Sequence, residues 1–397
     1  MGYVLIVSCV FPPEPVVSAN LSYDIAQKLH QEGGRIVVLS PKASRPQNYM
    51  FSEIAALLPF DHIIADSFVC PQSKMIGRVR ESYSFGKATY KYIKIHREEI
   101  DVIYANTWPL FAQYYLAKAA KKYNIPYYVH IQDIYPESYC HKMPRILGKM
   151  LYRLLIPMDK YVLGNSKGVF AISPAMKNYL VKTRGLDDSK VLLVRNWLDD
   201  KAYIGAYKPI EEKHEKRHVM YLGSINPTAN VSLIIKAIAS LDKDKYILSI
   251  IGNGPEKDNC QELTKRLGVE ATLGTVTPEK VAKTQGEADI LVLCLKKGVA
   301  QTATPSKLTA YMLSGRPIVA SVDLDSDCAN IIREAGCGIV VEPEDVDALS
   351  NAIQSLSEMN GRQKNEMGMA AFEYAKQYLS KKSNLKIITD MLIGKNQ

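Results

Sequence analysis

Short, mostly apolar runs alternate with helical patterns along almost the entire chain, and this alternation limits the fold more than any other feature. In the first half the runs fall at 3–10, 35–40, 62–69, 101–106, 126–131, 168–172 and 191–195. Helical patterns lie between them at 18–32, 76–98, 110–123, 145–163 and 174–183. The runs do not alternate apolar with polar residues, so they read as strands buried on both faces. Strands separated by helices build a parallel sheet with helices on each side. Residues 207–217 (YKPIEEKHEKR) carry no apolar period and read as a linker. The alternation then restarts, with strands at 218–223, 246–252, 270–273, 289–294, 317–321 and 338–342, and helices at 345–357 and within 362–393. The expected architecture is two α/β parallel-sheet domains, 1–206 and 218–375, with a C-terminal helix at about 376–397 packing back on the first. Ligands of such sheets bind beyond the carboxyl ends of the strands.

At 397 residues the chain is long enough for two such cores. No apolar run approaches the roughly 20 residues needed to cross a bilayer. The run at 3–10 lacks a basic lead and a small-residue cleavage site, so it reads as a first strand and not as a signal peptide. Seven cysteines stand singly with no C-x-x-C, the pattern of reduced thiols and a cytoplasmic protein. The net charge of +9 is uneven. Residues 1–195 hold 25 basic and 15 acidic side chains, which leaves 25 and 26 for the remainder. The excess concentrates in 74–97, where basic residues alternate with Tyr83, Phe85, Tyr90 and Tyr92, and in 142–160, where they sit among Met143, Ile146, Leu147, Met150 and Leu154. Two basic amphipathic segments in one domain predict an anionic membrane surface as partner, contacted peripherally at the inner face, and no nucleic acid.

Three segments carry candidate chemistry. Thr304-Pro305-Ser306-Lys307-Leu308 opens a helix that Gly315-x-Pro317 closes. Pro in a first turn leaves no N–H wasted, the helix start attracts anions, and Lys307 adds a mobile charge. Such a site holds a diphosphate without a metal. Gly252-Asn253-Gly254-Pro255 follows a strand and permits close backbone approach, as a plain tight turn also would. His130, Asp133 and Glu137 lie within eight residues at another strand end, where Asp133 would deprotonate or orient a hydroxyl with His130 beside it, unless Asp133 caps a turn and His130 packs in the core. After the first strand, Glu14 on a proline-stiffened loop is either an acceptor-binding carboxylate or a solvated acid, and Asn20 opens the next helix. No G-x-G-x-x-G stands there, so a dinucleotide fingerprint is missing. Asp323, Asp325 and Asp327 lack the Gly and Glu of a calcium loop and read as a solvated turn with Asp327 as helix cap. No zinc spacing occurs, and no metal or other cofactor is expected.

In this order and spacing the motifs resemble the retaining, GT-B-fold glycosyltransferases of family 4, in the branch that builds bacterial O-antigen, capsule and colanic-acid polysaccharides. The carrying pieces are FPPE (11–14), Asp133–Glu137, NWLD (196–199), YLGS (221–224), IGNGP (251–255), EADI (287–290), TPSKL (304–308), YMLSGRPIVAS (311–321) and AGCGIVVEPED (335–345). The resemblance implies two Rossmann-like domains facing a central cleft. It also implies transfer of a sugar from a nucleotide-diphosphate donor, a UDP-sugar by expectation, to a polyprenyl-diphosphate-linked glycan. The donor would lie against Gly223, Ser224, Gly252, Gly254, Pro255 and Thr304 to Leu308, and the acceptor against Glu14, Asn20 and Glu137. The family often carries an E-x7-E pair and a basic pair; here Thr302, Ala310, Ser224 and Ala229 stand at those places, which leaves Lys307, helped by Lys297, to neutralise the diphosphate. Missing carboxylates count against a nucleotide-sugar 2-epimerase and would suit a non-catalytic sugar-nucleotide-binding subunit.

Overall fold

A computed structural model describes residues 2–45, 58–72, 74–106, 110–140, 143–210, 216–299 and 306–394. It divides into two compact units, residues 1–195 with 385–397, and residues 196–384. Residues 196–206, counted above with the first domain, therefore belong to the second unit. Of the expected linker, 211–215 lies outside the described residues.

The first unit holds β1 (Tyr3–Ser8), β2 (Ile36–Ser40), β3 (Asp61–Ile64), β4 (Ile100–Asn106), β5 (Tyr127–Ile131), β6 (Gly168–Ala171) and β7 (Val191–Leu193) in a seven-stranded parallel sheet of order β3-β2-β1-β4-β5-β6-β7. Helices α1 (Val17–Gln31), α2 (Met75–His96), α3 (Leu110–Tyr123), α4 (Glu137–Cys140), α5 (Arg145–Asn165) and α6 (Pro174–Arg184) connect them. The order reverses beside β1, so the carboxyl ends of β1 and β4 flank a topological switch point. The run at 62–69 forms a strand only to Ile64. Its partner β2 stops at Ser40, and Pro41 has no N–H to extend the ladder.

The second unit holds β8 (Arg217–Leu222), β9 (Tyr246–Ile251), β10 (Ala271–Gly274), β11 (Ile290–Cys294), β12 (Ile318–Ser321) and β13 (Gly338–Val341), in the order β10-β9-β8-β11-β12-β13. Its helices are α7 (Lys201–Ala206), α8 (Val231–Ala239), α9 (Lys257–Leu267), α10 (Val281–Gln285), α11 (Ser306–Leu313), α12 (Asp327–Ala335), α13 (Val346–Glu358), α14 (Gly361–Tyr374) and α15 (Lys381–Leu392), the last continuing into the first unit. One core lies on the α8, α9 and α13 side of the sheet and another on the α11 and α12 side. β8, β11, β12 and β13 feed both cores, which is why their apolar runs do not alternate.

Helix ends follow local chemistry. Ser173 caps α6 by accepting from the Met176 N–H at 3.1 Å, Pro174 sits in the first turn, and Gly185 ends the helix at φ 69°. At α12 the cap is Ser326 and not Asp327, which lies inside the first turn. The preceding Asp323 is buried and accepts the Gly298 N–H with both oxygens at 2.9 Å, so it ties two loops together and is not solvated. The expected helical tail breaks at Ser380, after a π-helical turn at 375–379.

Arg184 fixes α6 to its surroundings. Its buried guanidinium donates Nε–H to Asp159 of α5 at 2.6 Å and forms a bidentate pair with Glu137 of α4 at 2.7 Å, while Nη2 also reaches the Tyr135 carbonyl at 2.9 Å. Burial outweighs the attraction of Arg184 at Asp159 and pushes that carboxyl up to about 6. Burial also opposes charge on Glu137, but the bonds from Arg184 and Tyr179 prevail and hold it below the usual carboxylate range. Arg184→Met leaves two buried carboxylates without their cation and is expected to cost about 3–5 kcal/mol. Thermal unfolding at pH 7 checks this; an unchanged midpoint would mean the cluster does not hold the fold.

Candidate functional site

In the second unit the ends of β8 and β9 meet the start of α11. Beyond the strands the backbone ladder continues, with Gly223 N–H on the Ile251 carbonyl at 2.9 Å and Ile225 N–H on Asn253 at 2.8 Å. This close approach needs glycine. A Cβ on Gly252 would stand 1.9 Å from the Gly223 carbonyl oxygen, and one on Gly223 would stand 2.2 Å from Lys307 Cε. The Lys307 side chain thus lies across a floor of bare backbone. Its ammonium donates to the Tyr221 hydroxyl at 2.5 Å and to the Ser224 carbonyl at 3.3 Å. It also sits 4.8 Å from the centre of the Tyr221 ring. Tyr311, one turn along α11, accepts the Leu222 N–H at 2.9 Å and donates to the Leu222 carbonyl, pinning the end of β8 to the helix.

Burial lowers the Lys307 ammonium to about 8. An ammonium held partly out of water among neutral acceptors is poised for an anion that brings negative charge. Gly223, Gly252, Gly254 and Lys307 come together here, with Ser224 and Pro255 exposed at the rim and Leu308 buried beneath. Thr304, Pro305 and the Ser306 side chain lie outside the described residues, as do Thr302 and any contact it makes. Ala229 is buried and Lys297 is exposed in the turn after β11. The EADI aspartate, Asp289, accepts the His218 N–H at 2.8 Å and braces the start of β11 against β8.

In the first unit Asp133 is exposed in the bend directly after β5. The other acidic expectations are corrected by burial. Glu137 is consumed by Arg184 and Tyr179, so it anchors the Asp133 loop and is not open to a hydroxyl. Glu14 is 3% exposed and accepts the backbone N–H groups of Ser44 at 2.7 Å and Arg45 at 3.2 Å. Burial raises its pKa against those bonds, and it joins the buried pairs of Arg45 with Glu81 and Arg78 with Glu81. His130 is fully buried, bonded to the Tyr104 hydroxyl at 2.6 Å, and burial lowers it to about 3. A base sealed in the core and neutral at pH 7 cannot exchange protons with a bound substrate, so His130 is a packing residue. Asn20 is exposed in the first turns of α1.

Sequence reasoning missed Tyr221, Tyr311 and Arg184. Tyr311 had a signal, because positions i and i+4 share a helix face with Lys307. Arg184 had none: its partners lie 25 and 47 residues away.

With this geometry in view, the chain's relatives can be stated. Residues 18–202 match the model "Glycosyltransferase Family 4", and residues 206–374 match "Glycosyl transferases group 1". The two matched domains, with their paired Rossmann-like sheets, make the chain a member of the family-4-type glycosyltransferases of GT-B fold. The Pseudomonas aeruginosa protein "Probable glycosyltransferase WbjE" is 22% identical over 238 residues, which cover 58% of this chain and 59% of that protein. The match thus spans well under two thirds of that relative. A glycosyltransferase structure from Rickettsia africae ESF-5 superposes with TM-score 0.71 at 14% identity over all of both chains. Anabaena Alr3699/HepE, solved in complex with UDP, gives 0.68 at 16% over 99% of this chain and 100% of its own. Both likenesses concern the fold.

The His130 environment makes a direct prediction. Its folded pKa lies below the ordinary value of 6.5, so the imidazole stays neutral from pH 8 down to pH 5. Ring-proton resonances of His130 should not move across that range. A midpoint near 6.5 would return the residue to the list of bases.

Proposed function

We propose that the protein transfers a sugar, with retention and without a metal, from a UDP-type nucleotide-diphosphate donor to a lipid-linked glycan of a bacterial surface polysaccharide. The observation that carries the donor half is Lys307 laid across the Gly223–Gly252 floor at the start of α11. As the glycosidic bond to the diphosphate breaks, negative charge grows on the leaving oxygens. Donors already fixed there stabilise that charge with little reorganisation. The ammonium and the first N–H groups of α11 are such donors. UDP bound to a protein of the same fold supports the choice of nucleotide. On the acceptor side Asp133, exposed after β5, is the carboxylate we assign to orienting or deprotonating the incoming hydroxyl.

One assay tests both roles. Lys307→Ala should lose most transfer and bind UDP about tenfold or more weakly, the scale of a charge-assisted phosphate contact. Asp133→Asn should keep UDP affinity and lose turnover. Wild-type transfer and UDP binding should both persist in EDTA. Unchanged UDP affinity in Lys307→Ala, or activity abolished by chelator and restored by magnesium, would overturn the reading. Tight UDP binding with no release of nucleoside diphosphate would favour the non-catalytic subunit.

The membrane partner rests on the surface of α2 and α5. The first half of α5 exposes Ile146 (77%), Met150 (66%) and Leu154 (71%) along one stripe, beside the exposed Arg145, Lys149 and Arg153. The start of α2 exposes Ile76 (82%), with Arg80, Lys87, Lys91 and Lys94 also exposed. An apolar stripe edged by cations suits an anionic lipid surface, where each cation contributes about 1 kcal/mol. Two expected members drop out: Phe85 is 1% exposed in the core, and Arg78 is buried against Glu81. Among the described residues no helix is long and apolar enough to cross a membrane. Co-sedimentation with anionic vesicles should fall with salt, fall in Lys87→Glu/Lys91→Glu/Lys94→Glu, and lose its salt-resistant part in Met150→Asp/Leu154→Asp. Equal pelleting of all three proteins, or none, would discard the membrane surface.

A further inference from the structure

We propose that Tyr221 is the positioning residue of the donor site, its hydroxyl holding the Lys307 ammonium over the glycine floor so that an incoming diphosphate meets a fixed cation. The inference rests on the reading of Lys307 as the diphosphate-neutralising group.

Three observations carry it. The Tyr221 hydroxyl has both its bonds assigned, donating to the Ser224 carbonyl at 2.6 Å and accepting from Lys307 Nζ at 2.5 Å. A hydroxyl whose hydrogen is already committed to a carbonyl presents only its lone pairs to the lysine, so it can stabilise the charged amine and not compete with it as a donor. The ring itself cannot drift. Tyr221 is fully buried in the core on the α8 and α9 side, with Ile225, Leu248, Ile250 and Cys260 in the same cluster. Lys307 arrives from the other layer, on α11, whose Leu308 and Tyr311 belong to the opposite core. The contact therefore links the two layers at the carboxyl edge of the sheet. The third observation is Gly223. With no side chain there, the aliphatic stem of Lys307 lies flat on the backbone and its reach is set by Tyr221. A lysine on four rotatable bonds loses much entropy when a ligand immobilises it. One already held loses less on binding, which is the advantage of preorganisation.

The groups facing the ammonium are neutral near pH 7. Tyr221 on β8 and Tyr311 on α11 are both raised by burial, and the Cys294 thiol on β11 is pushed up to about 12 by burial. Cys260 on α9 is also raised by burial and acts on Tyr221. The Gly223–Ser224 and Gly252–Gly254 loops add no charge. The titration of Lys307 thus reports on desolvation, on Tyr221 and on the bound anion. A diphosphate stabilises the charged amine, so UDP should bind with proton uptake near pH 8, and its affinity should fall as pH rises through that value.

The test is calorimetry with UDP from pH 6.5 to 9.5 on four proteins: wild type, Tyr221→Phe, Lys307→Ala and the double variant. Affinities are compared as ratios to Lys307→Ala, which removes the titration of UDP itself. The wild-type ratio should be high below pH 8 and decline above it. Tyr221→Phe, a near-isosteric change, should weaken UDP about tenfold at pH 7. Its decline should begin at lower pH, because the ammonium has lost an acceptor. In the Lys307→Ala background the Tyr221 change should have almost no effect. If Tyr221→Phe weakens UDP equally in both backgrounds and leaves the pH of decline in place, its role is to hold the loop and the inference fails. If Lys307→Ala itself binds UDP like wild type, the donor reading fails instead, whatever Tyr221 does.

Discussion

A cation kept out of water without a counter-charge is expensive, and the carboxyl edge of the second sheet is arranged around one. Lys307 is partly desolvated, and its described partners are a tyrosine hydroxyl and a backbone carbonyl. The surrounding choices follow from this. Glycine at 223 leaves the stem room, glycine at 252 lets the next loop close against it, and Tyr311 locks the helix that carries the lysine to the strand beneath. A carboxylate beside Lys307 would satisfy the ammonium and remove its capacity to attract phosphate. Ala310, one turn along α11 from Lys307, supplies no such carboxylate.

The first unit solves the same electrostatic problem in the opposite way. Arg184 is more deeply buried than Lys307, yet it is surrounded by Glu137, Asp159 and a carbonyl. Glu14, Arg45, Arg78 and Glu81 form a second compensated cluster where β1 and β2 end. Matched buried charges of this kind fix geometry and leave little for a ligand. They hold the loops after β1, β2 and β5 in place, and Asp133 is carried on one of these loops. The two units therefore divide the work. Charge is neutralised internally around the loops of the first unit, whereas among the described residues Lys307 bonds only to neutral oxygens.

Most of the fold was legible because burial on both faces leaves a strong trace: each strand of both sheets overlaps an apolar run read from the sequence. The errors came where a partner decided the outcome. β3 stops early because β2 stops, and the α12 cap shifted by one residue because a hydroxyl competes with a carboxylate for the same N–H groups. The Lys307 site was legible in part, since glycines at strand ends and a lysine at a helix start are local signals. The acidic residues of the first unit were not. Glu14, Glu137 and His130 lie at strand ends, where catalytic groups gather. Their actual partners, Ser44, Arg184 and Tyr104, are brought to them only by the folded sheet.

The same distinction alters how the charge of the first half is to be understood. Counting residues credits the membrane with every lysine and arginine there, but Arg45, Arg78 and Arg184 are spent inside the protein against Glu14, Glu81, Glu137 and Asp159. Three cations are thereby set against four carboxylates, so removing both sets leaves the surface excess undiminished. The exposed remainder is more positive in proportion, and on α5 it borders an apolar stripe that the fold leaves uncovered. That stripe begins a few residues after α4, whose Glu137 is tied through Arg184 to the loop bearing Asp133. The basic stripe and the loop bearing Asp133 are thus near neighbours in the chain, and the Arg184 cluster ties α4, α5 and α6 to that loop.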